Sequence, residues 1–257
     1  MTQYDAAGVA DAVTADFDVE YHDTLASSND RARELAAERA PETVVVADEQ
    51  TAPRGRGDRE WVSPAGGVWF SLLVWPSRPP AETPVVTLAT AVAVTDGCRQ
   101  AGVPARIKWP NDVIVGDGER GGAKLCGVLT EAGETDGDRW LAVGVGLNAN
   151  VSPSALPADA DATTLRAERD GDDVDRRRLV GTIVDRFAEL RADPEAVLPA
   201  WREHADTLGR RVRVETPTET LVGEAVDVEF PGSLVVRTDA GDRVVTAGDC
   251  EHLRPIR

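Results

Sequence analysis

The sequence predicts an α+β fold, with a mixed or antiparallel sheet flanked by helices and a small β-barrel at the C-terminal end. Segments of helical periodicity are segregated from segments rich in β-branched residues, and the latter are bounded by Gly/Asp turns. After Gly209 the apolar residues fall into short alternating runs separated by proline and glycine, which is typical of a small barrel. We therefore expect one domain over residues 1–208 and a barrel domain over residues 209–257.

The first half of the larger domain is predicted to contain two helices, two buried strands and a long loop. Polar side chains at 27–29 are N-cap candidates for the first helix, and Pro84 falls near the first turn of the second. Proline and glycine at 53, 55 and 57 interrupt a polar stretch and favour a loop. The helices are expected at 31–39 and 84–101, the strands at 44–46 and 68–75, and the loop at 48–60.

The second half is predicted to contain consecutive antiparallel hairpins followed by two helices. Four segments rich in β-branched residues are separated by turns expected at 115–118 and 134–138. A periodic apolar pattern then favours a helix, and a second helix is expected after Pro194. The strands are expected at 106–109, 113–115, 123–132 and 140–147, and the helices at 176–192 and 194–208.

The charge of the chain bears on its partners and its surroundings. With a net charge of -17 over 257 residues, the chain gains no sequence-independent affinity for nucleic acid, because that affinity depends on Lys and Arg neutralising phosphates. Acidic residues fill loops from end to end, and lysine is almost absent. This composition indicates an acidic proteome in the high-salt cytoplasm of a halophile, although a GC-rich coding bias would favour the same residues.

The cysteines and the hydropathy pattern indicate a cytoplasmic protein. Cys98, Cys126 and Cys250 are widely spaced and odd in number, which argues against a disulfide framework and for a reducing compartment. We find no signal peptide and no run near the ~18 apolar residues that a membrane span needs. We therefore expect no membrane association.

Lysine is so scarce that its positions are informative. Only two of the 28 basic residues are lysines, Lys108 and Lys124. Arg and Lys replace one another on a solvated face but not in a site, where lysine offers a compact charge on a flexible stem. Lys108 lies in the dense motif Lys-Trp-Pro-Asn-Asp at 108–112, which makes it the stronger candidate for chemistry.

Four ordered segments resemble those of the biotin protein ligases. The Lys-Trp-Pro-Asn-Asp string is the most distinctive of them, and the glycine/arginine loop alone would be weak evidence. Together with the barrel, the resemblance covers about nine-tenths of the chain. The segments are Ser-Ser-Asn at 27–29, the Gln-to-Arg loop at 50–56 with Trp61, Ser63 and Pro64, the string at 108–112, and the glycine strands at 124–131 and 144–148.

The resemblance implies both a fold and a reaction. It implies a class II synthetase/biotin-ligase-like catalytic domain with a C-terminal SH3-like β-barrel. It also implies that ATP and Mg²⁺ activate biotin to biotinyl-5′-AMP with release of pyrophosphate. Biotin then passes to a lysine of a biotin carboxyl carrier protein. The resemblance points to a homodimer, for which the residues themselves give no signal, and about 25 residues before the first motif leave no room for a DNA-binding repressor module.

By resemblance, the catalytic groups are Lys108, Arg54 and Arg56. Lys108 matches the lysine that bridges the biotin carboxylate and the α-phosphate, two anions that repel each other until a cation lies between them. The two arginines lie in a loop that closes over ligand; alternatively, they are solvated loop residues. The family's first loop glycine is Pro53 here, which fixes φ and removes an N–H.

The resemblance also assigns ligand contacts. Ser28 and Gln50 would satisfy the ureido ring of biotin, and Ser27 either shares this role or is only an N-cap. Trp61 either stacks near the adenine or is a core residue, and Lys124 lies either near the ligand or on a hairpin surface. The biotin set is Ser27, Ser28, Gln50, Arg54, Lys108, Gly127, Leu129 and Gly144; the ATP set is Arg54, Arg56, Trp61, Asn111 and Asn148; and Asp112 is the candidate for Mg²⁺.

Two other functions share part of this pattern. A lipoate or octanoate–protein ligase would have the same fold and adenylate chemistry, but the Lys-Trp-Pro-Asn-Asp string with the Arg-Gly-Arg loop favours biotin. A non-catalytic biotin-binding module would be expected to lose Lys108 or the loop arginines, and neither is lost.

Overall fold

The computed structural model describes residues 4–57, 61–116, 120–158 and 160–253, which form two β-sheets and the helices packed on them. In the first sheet the strand order is β1-β2-β3-β7-β6-β5-β4, and only the β1–β2 pair is parallel. Its strands are β1 (Asp18–Leu25), β2 (Thr43–Gln50), β3 (Val68–Val74), β4 (Ala105–Lys108), β5 (Asp112–Val115), β6 (Lys124–Thr135) and β7 (Asp138–Leu147).

Helices cover both faces of this sheet. On one face α2 buries Ala32, Leu35 and Ala36 against strand residues such as Leu73 and Ala142. The other face carries the larger core, to which α3 and α5 contribute. Because β3 is buried on both faces, its sequence is a continuous apolar run rather than an alternating one. The helices are α1 (Ala6–Ala10), α2 (Ser28–Ala37), α3 (Thr83–Gln100), α4 (Leu165–Glu168), α5 (Arg176–Ala192) and α6 (Val197–His204).

The second sheet is antiparallel and five-stranded, with the order β11-β10-β9-β8-β12. It is joined to the first sheet through the β4–β5 hairpin. The Trp109 indole Nε1 donates to the Gly232 carbonyl at 2.9 Å, and the Asp206 N–H donates to the Ile107 carbonyl at 2.8 Å. Its strands are β8 (Arg211–Glu215), β9 (Thr220–Glu229), β10 (Ser233–Thr238), β11 (Gly241–Val245) and β12 (Asp249–His252).

The predicted α+β class, with its mixed sheet and C-terminal barrel-like sheet, is confirmed. The domain boundary at residue 208 remains a prediction. No helix in the described part of the chain is long and apolar enough to cross a membrane.

Several predicted elements need correction. β1 was not predicted because its residues are only half-buried and carry charges, so it lacks the apolar run of its neighbours. β2 extends to Gln50, so the polar loop begins three residues later than expected. The helix expected at 194–208 is a 3₁₀ turn at Pro194–Ala196 followed by the shorter α6. Residues 58–60 of the loop and 117–118 of the predicted turn lie outside the described residues.

Candidate functional site

A cavity of about 280 Å³ lies on the face of the first sheet that carries α2. The N-terminal end of α2, the loop after β2, the strands β5, β6 and β7, and the segment 156–162 form its walls. Twelve of the thirteen residues predicted for the site line it, and Lys108 does not. The twelve are Ser27, Ser28, Gln50, Arg54, Arg56, Trp61, Asn111, Asp112, Gly127, Leu129, Gly144 and Asn148.

Glycines on two paired strands open the floor of this cavity. Gly127 lies opposite Gly146, and Leu129 lies opposite Gly144. A Cβ at Gly144 would lie 2.4 Å from Asn29 Oδ1, and a Cβ at Gly146 would lie 2.8 Å from the Trp61 Nε1. A side chain at either position would therefore displace a group that lines the cavity.

At one end of the cavity, hydrogen bonds within the protein fix the orientation of the polar side chains. The Ser28 N–H donates to Gln50 Oε1 at 2.7 Å, and Gln50 Nε2 donates to Ser63 Oγ at 2.9 Å. These two contacts fix which way the Gln50 amide points. One N–H of its Nε2 remains for a ligand, because an amide nitrogen carries two.

A second group of hydrogen bonds lies behind Ser28. Ser71 Oγ is 2.7 Å from Ser28 Oγ and 2.5 Å from Asn29 Oδ1. Asn29 Nδ2 donates to Glu131 Oε2 at 2.7 Å, so its Oδ1 faces Ser71. We call the set Ser28, Asn29, Gln50, Ser63 and Ser71 the satisfied end of the cavity. Ser27 caps α2 by accepting from the Asp30 N–H at 3.3 Å, and it also lines the cavity.

At the opposite end, two buried polar atoms lack a partner. Neither the Trp61 Nε1 nor Asn148 Oδ1 has a hydrogen bond to any described residue, although both residues line the cavity. Asn148 Nδ2 donates to the Thr163 carbonyl at 3.0 Å, which leaves Oδ1 as the unused acceptor. Leaving a buried polar group unpaired costs about 1–3 kcal/mol. We call Trp61 and Asn148 the unsatisfied end.

Lys124 lies at the unsatisfied end. Its Nζ is 2.7 Å from Asp112 Oδ1 and 5.2 Å from the centroid of the Trp61 ring. It is also close to the floor, because a Cβ at Gly127 would lie 3.3 Å from this Nζ. The lysine is therefore held over the cavity by one carboxylate and one aromatic face.

Lys108 is not among the residues that line the cavity, and its catalytic role stays a prediction. Lys108 pairs with Asp112 across β4 and β5, and Asp112 pairs with Gly127 across β5 and β6. Lys108 thus shares the cavity face but is two strands from the glycine floor, roughly 10 Å away at the usual strand spacing. It lies instead near Cys250 of β12: burial raises the pKa of that thiol to about 12, and the Lys108 charge partly offsets the effect.

The two loop arginines line the cavity and pair with different parts of the protein. Arg54 Nη2 lies 2.7 Å from Asp30 Oδ1 and 3.1 Å from Glu131 Oε2. Arg56 Nη1 donates to Asn111 Oδ1 at 2.8 Å, and its Nη2 donates to the Gly248 carbonyl at 3.1 Å. Arg54 therefore connects the loop to the satisfied end, and Arg56 connects it to the second sheet.

Asn111 and Asp112 are both engaged by protein groups. Asn111 Nδ2 donates to the Val128 carbonyl at 2.8 Å while its Oδ1 accepts from Arg56. Asp112 pairs with Lys124. Among the described residues, no group of three or more His, Cys, Asp or Glu side chains could hold a metal ion. Asp112 is thus at most a single carboxylate toward Mg²⁺, which is often held by one or two carboxylates together with substrate phosphates.

Sequence reasoning missed Asn29, Ser71 and Glu131 and left Lys124 open. Asn29 lay inside a quoted motif and Glu131 at the end of another, so both carried a signal. Ser71 gave none, because it is one serine within an apolar strand. The segment containing Leu156, Pro157 and Ala160–Ala162 also lines the cavity and reads in the sequence as an ordinary loop.

Family models match the chain in two places. The model of the biotin/lipoate A/B protein ligase family matches residues 24–150, which include most of the cavity wall. The model of the biotin protein ligase C-terminal domain matches residues 207–253, which contain the second sheet.

Relatives are similar over most of the chain. The bifunctional ligase/repressor BirA of Bacillus subtilis is 37% identical over 243 residues, covering 90% of this chain and 73% of that protein. The biotin–[acetyl-CoA-carboxylase] ligase of Paracoccus denitrificans is 31% identical, covering 87% and 95% respectively.

Among solved structures, biotin protein ligase from Aquifex aeolicus in complex with biotin and ATP superposes with a TM-score of 0.77 at 26% identity, covering 92% of this chain and 99% of that one. The satisfied and unsatisfied ends thus occur in a chain whose relatives exceed 30% identity over most of their length and whose fold matches a biotin- and ATP-bound enzyme. The chain belongs to the biotin protein ligase family.

Proposed function

We propose that this protein is an ATP-dependent biotin–[biotin carboxyl carrier protein] ligase. It activates biotin as biotinyl-5′-AMP and transfers the biotinyl group to a lysine of a carrier protein. The observation that carries the proposal is the satisfied end of the cavity, whose unused hydrogen-bonding groups match a cyclic urea.

The match follows from counting protons. Asn29 Oδ1 can only accept, so the Ser71 proton points to it, and the 2.5 Å and 2.7 Å contacts are both satisfied only if Ser28 donates to Ser71. Ser28 Oγ then offers lone pairs to the cavity. Gln50 Nε2 offers an N–H. An acceptor beside a donor suits the N–H and C=O of the ureido ring.

The unused donor and acceptor at this end also argue against lipoate and octanoate as substrates. Their tails carry neither an N–H nor a carbonyl, so the unused groups of Ser28 and Gln50 would stay unpaired in a buried place. Such mismatches reject a ligand strongly, because each buried group left unpaired costs about 1–3 kcal/mol.

We assign the central cation of the first step to Lys124 in place of Lys108. A carboxylate oxygen of biotin attacks the α-phosphorus of ATP and pyrophosphate leaves, so two anions must approach each other. Lys124 lies over the glycine floor at the unsatisfied end, beside Trp61, and its ammonium can leave Asp112 for these anions. Arg54 would leave Asp30 and Glu131 in the same way as the loop closes.

The unsatisfied end suits the nucleotide. Asn148 Oδ1 is an unpaired acceptor, which fits a donor such as the 6-amino group of adenine, and Trp61 offers an unpaired N–H and a ring face. Asn111 supports this end indirectly through Arg56. Bound Mg²⁺ would neutralise phosphate charge, and Asp112 is the residue here that would touch it.

In the second step the amine of the carrier lysine attacks the acyl carbonyl of biotinyl-5′-AMP and releases AMP. The carrier is a biotin carboxyl carrier protein or domain. We propose no repressor activity, because acidic residues outnumber basic ones by 45 to 28. The homodimer remains a prediction.

The surroundings proposed for the enzyme are a reducing, high-salt cytoplasm. Cys98, Cys126 and Cys250 are all free and buried. The acidic surface fits molar salt, where the self-repulsion of the chain is screened. Activity is accordingly expected to rise between low and molar salt.

The test is ATP–pyrophosphate exchange with biotin, lipoate and octanoate in parallel, at low and molar salt. We expect exchange with biotin only. Exchange that lipoate or octanoate supports as well as biotin would favour a lipoate-type ligase, and binding of biotin without exchange would favour a non-catalytic module. Either outcome would refute the proposed function.

A further inference from the structure

Glu131 touches the satisfied end from outside the cavity. Its Oε2 accepts from Asn29 Nδ2 at 2.7 Å and lies 3.1 Å from Arg54 Nη2. It is absent from the cavity wall, in contrast to Ser28 and Asn29. Its other carboxylate oxygen, Oε1, lies 3.6 Å from Nη2 of the half-exposed Arg33, which does not line the cavity either. Asn29 and Arg54 are therefore the two partners of Glu131 that themselves reach the cavity.

The contact to Asn29 fixes the orientation of an amide. The Asn29 Nδ2 faces two acceptors, the Glu131 carboxylate and the Leu129 carbonyl at 3.4 Å. Its Oδ1 therefore faces Ser71. Without the carboxylate, only the long contact to Leu129 would oppose a flip of the amide.

The orientation of this amide sets the direction of the hydrogen bonds that end at Ser28. The Ser71 hydroxyl lies within donor distance of both Ser28 Oγ and Asn29 Oδ1 but carries a single proton. We infer that this proton goes to the Asn29 oxygen, which can only accept, so that the remaining contact requires Ser28 to donate to Ser71. With the amide flipped, Asn29 would donate to Ser71, Ser71 would donate to Ser28, and the Ser28 proton would point into the cavity.

We propose that Glu131 is a positioning residue that determines the polarity of the ligand site. Through Asn29 and Ser71 it makes Ser28 an acceptor, and so selects a ligand that presents an N–H at this end. The inference rests on the proposed function, because biotin is the ligand whose ureido N–H is recognised. Glu131 acts from the rim, where its side chain is 26% exposed.

The test is a double-mutant cycle between Glu131→Leu and Ser71→Ala, read as the KM for biotin in ATP–pyrophosphate exchange. Each single change is expected to raise this KM about tenfold, the scale of one mismatched buried hydrogen bond. The KM of the double variant should be no higher than that of either single variant. Once Ser71 is gone, the hydrogen bonds no longer connect Glu131 to Ser28, so removing Glu131 has no further effect. The KM for ATP should stay within about twofold in Ser71→Ala, which has no contact with Arg54. In Glu131→Leu, which also releases one partner of Arg54, the KM for ATP should change by less than the KM for biotin.

Two further variants distinguish the effect of Glu131 on Asn29 from its ion pair with Arg54. Glu131→Gln keeps an acceptor oxygen for Asn29 and should restore most of the biotin affinity. Asp30→Ala removes the other carboxylate that holds Arg54 but has no side-chain contact to Asn29, so it should not raise the biotin KM selectively. Desthiobiotin, which retains the ureido ring, should lose affinity by the same factor as biotin.

The inference is overturned if the biotin KM of Glu131→Leu is unaltered, if the two changes multiply in the double variant, or if the KM for ATP rises equally. If Glu131→Leu does not fold, an unaltered biotin KM in folded Ser71→Ala overturns it as well. Failure of the proposed function differs from these outcomes, because the unmodified protein would then show no biotin-dependent exchange.

Discussion

The satisfied and unsatisfied ends of the cavity differ in how far the protein has completed its own hydrogen bonds. Around Ser28 and Gln50 the protein fixes each donor and acceptor before any ligand arrives. At Trp61 and Asn148 it leaves buried groups unpaired. If the proposed function is correct, the first end is preorganised and rejects ligands of the wrong polarity, whereas the second gains free energy when a ligand supplies the missing partners.

The largest expected effect concerns the charge of Lys124. Lys124→Ala should lower the rate of biotin-dependent exchange by about 10²–10³-fold, the scale for loss of one group that stabilises transition-state charge. The Lys124→Arg variant should also have a strongly reduced rate, because a broad, planar guanidinium does not replace the compact charge of an ammonium group. Lys108→Ala is the matched control and should change the rate by about twofold. The reverse ranking of the two lysines would contradict the placement of the site.

The next largest effects are expected from Gly→Ala substitutions at two positions of β7, one at each end of the cavity. Gly144→Ala should displace Asn29 and raise the KM for biotin, whereas Gly146→Ala should displace the Trp61 ring and raise the KM for ATP. Overpacking costs about 1–3 kcal/mol, or roughly 5- to 150-fold. If both changes raised the same KM, the division of the cavity into two ends would be wrong.

Deleting one hydrogen-bonding group at either end should have smaller effects. Gln50→Glu replaces the donor Nε2 by oxygen. It should weaken the binding of biotin about tenfold and change the binding of ATP little. Asn148→Ala removes the unpaired acceptor. It should weaken the binding of ATP by a similar factor without affecting the binding of biotin. Titration calorimetry of each ligand checks both. Equal loss of both ligands in either variant would indicate a general disruption.

The smallest expected effect lies away from both ends, at Asp96 of α3. Burial alone would raise the pKa of Asp96, but hydrogen bonds from His204 and Arg186 outweigh it, so the pKa is lowered. A lowered folded pKa contributes stability above the unfolded value near 3.9, and that stability is lost as pH falls through the folded pKa. Asp96→Asn should therefore cost about 1 kcal/mol at pH 7 and progressively less below pH ~4.

Thermal unfolding of both proteins across this pH range checks the Asp96 prediction. Exchange activity at saturating substrates serves as the control and should not change, because Asp96 does not line the cavity. A stability difference that grows toward low pH would contradict the sign derived for this group.

The lysine motif shows where sequence reasoning succeeds and where it stops. The ordered motifs identify twelve of the residues that line the cavity, because these residues lie on strands and loops whose order along the chain also places them together. The motifs favoured Lys108, whereas the cavity wall contains Lys124; the two lysines stand on different strands of one sheet. Only the register of β4, β5 and β6 decides which of them reaches the floor.

The sequence by itself determined the fold class, the glycine floor and the groups that form most of the cavity wall, because periodicity, turn residues and motif order are local properties. The tertiary structure decided that Lys124 lies in the cavity and that Ser28, Ser71 and Asn29 form one row of hydrogen bonds. Both depend on contacts between distant residues, such as Ser71 with Asn29 and Asn29 with Glu131. A hydrogen bond has a direction only when both of its partners are known, and no local pattern in this chain supplies the second partner.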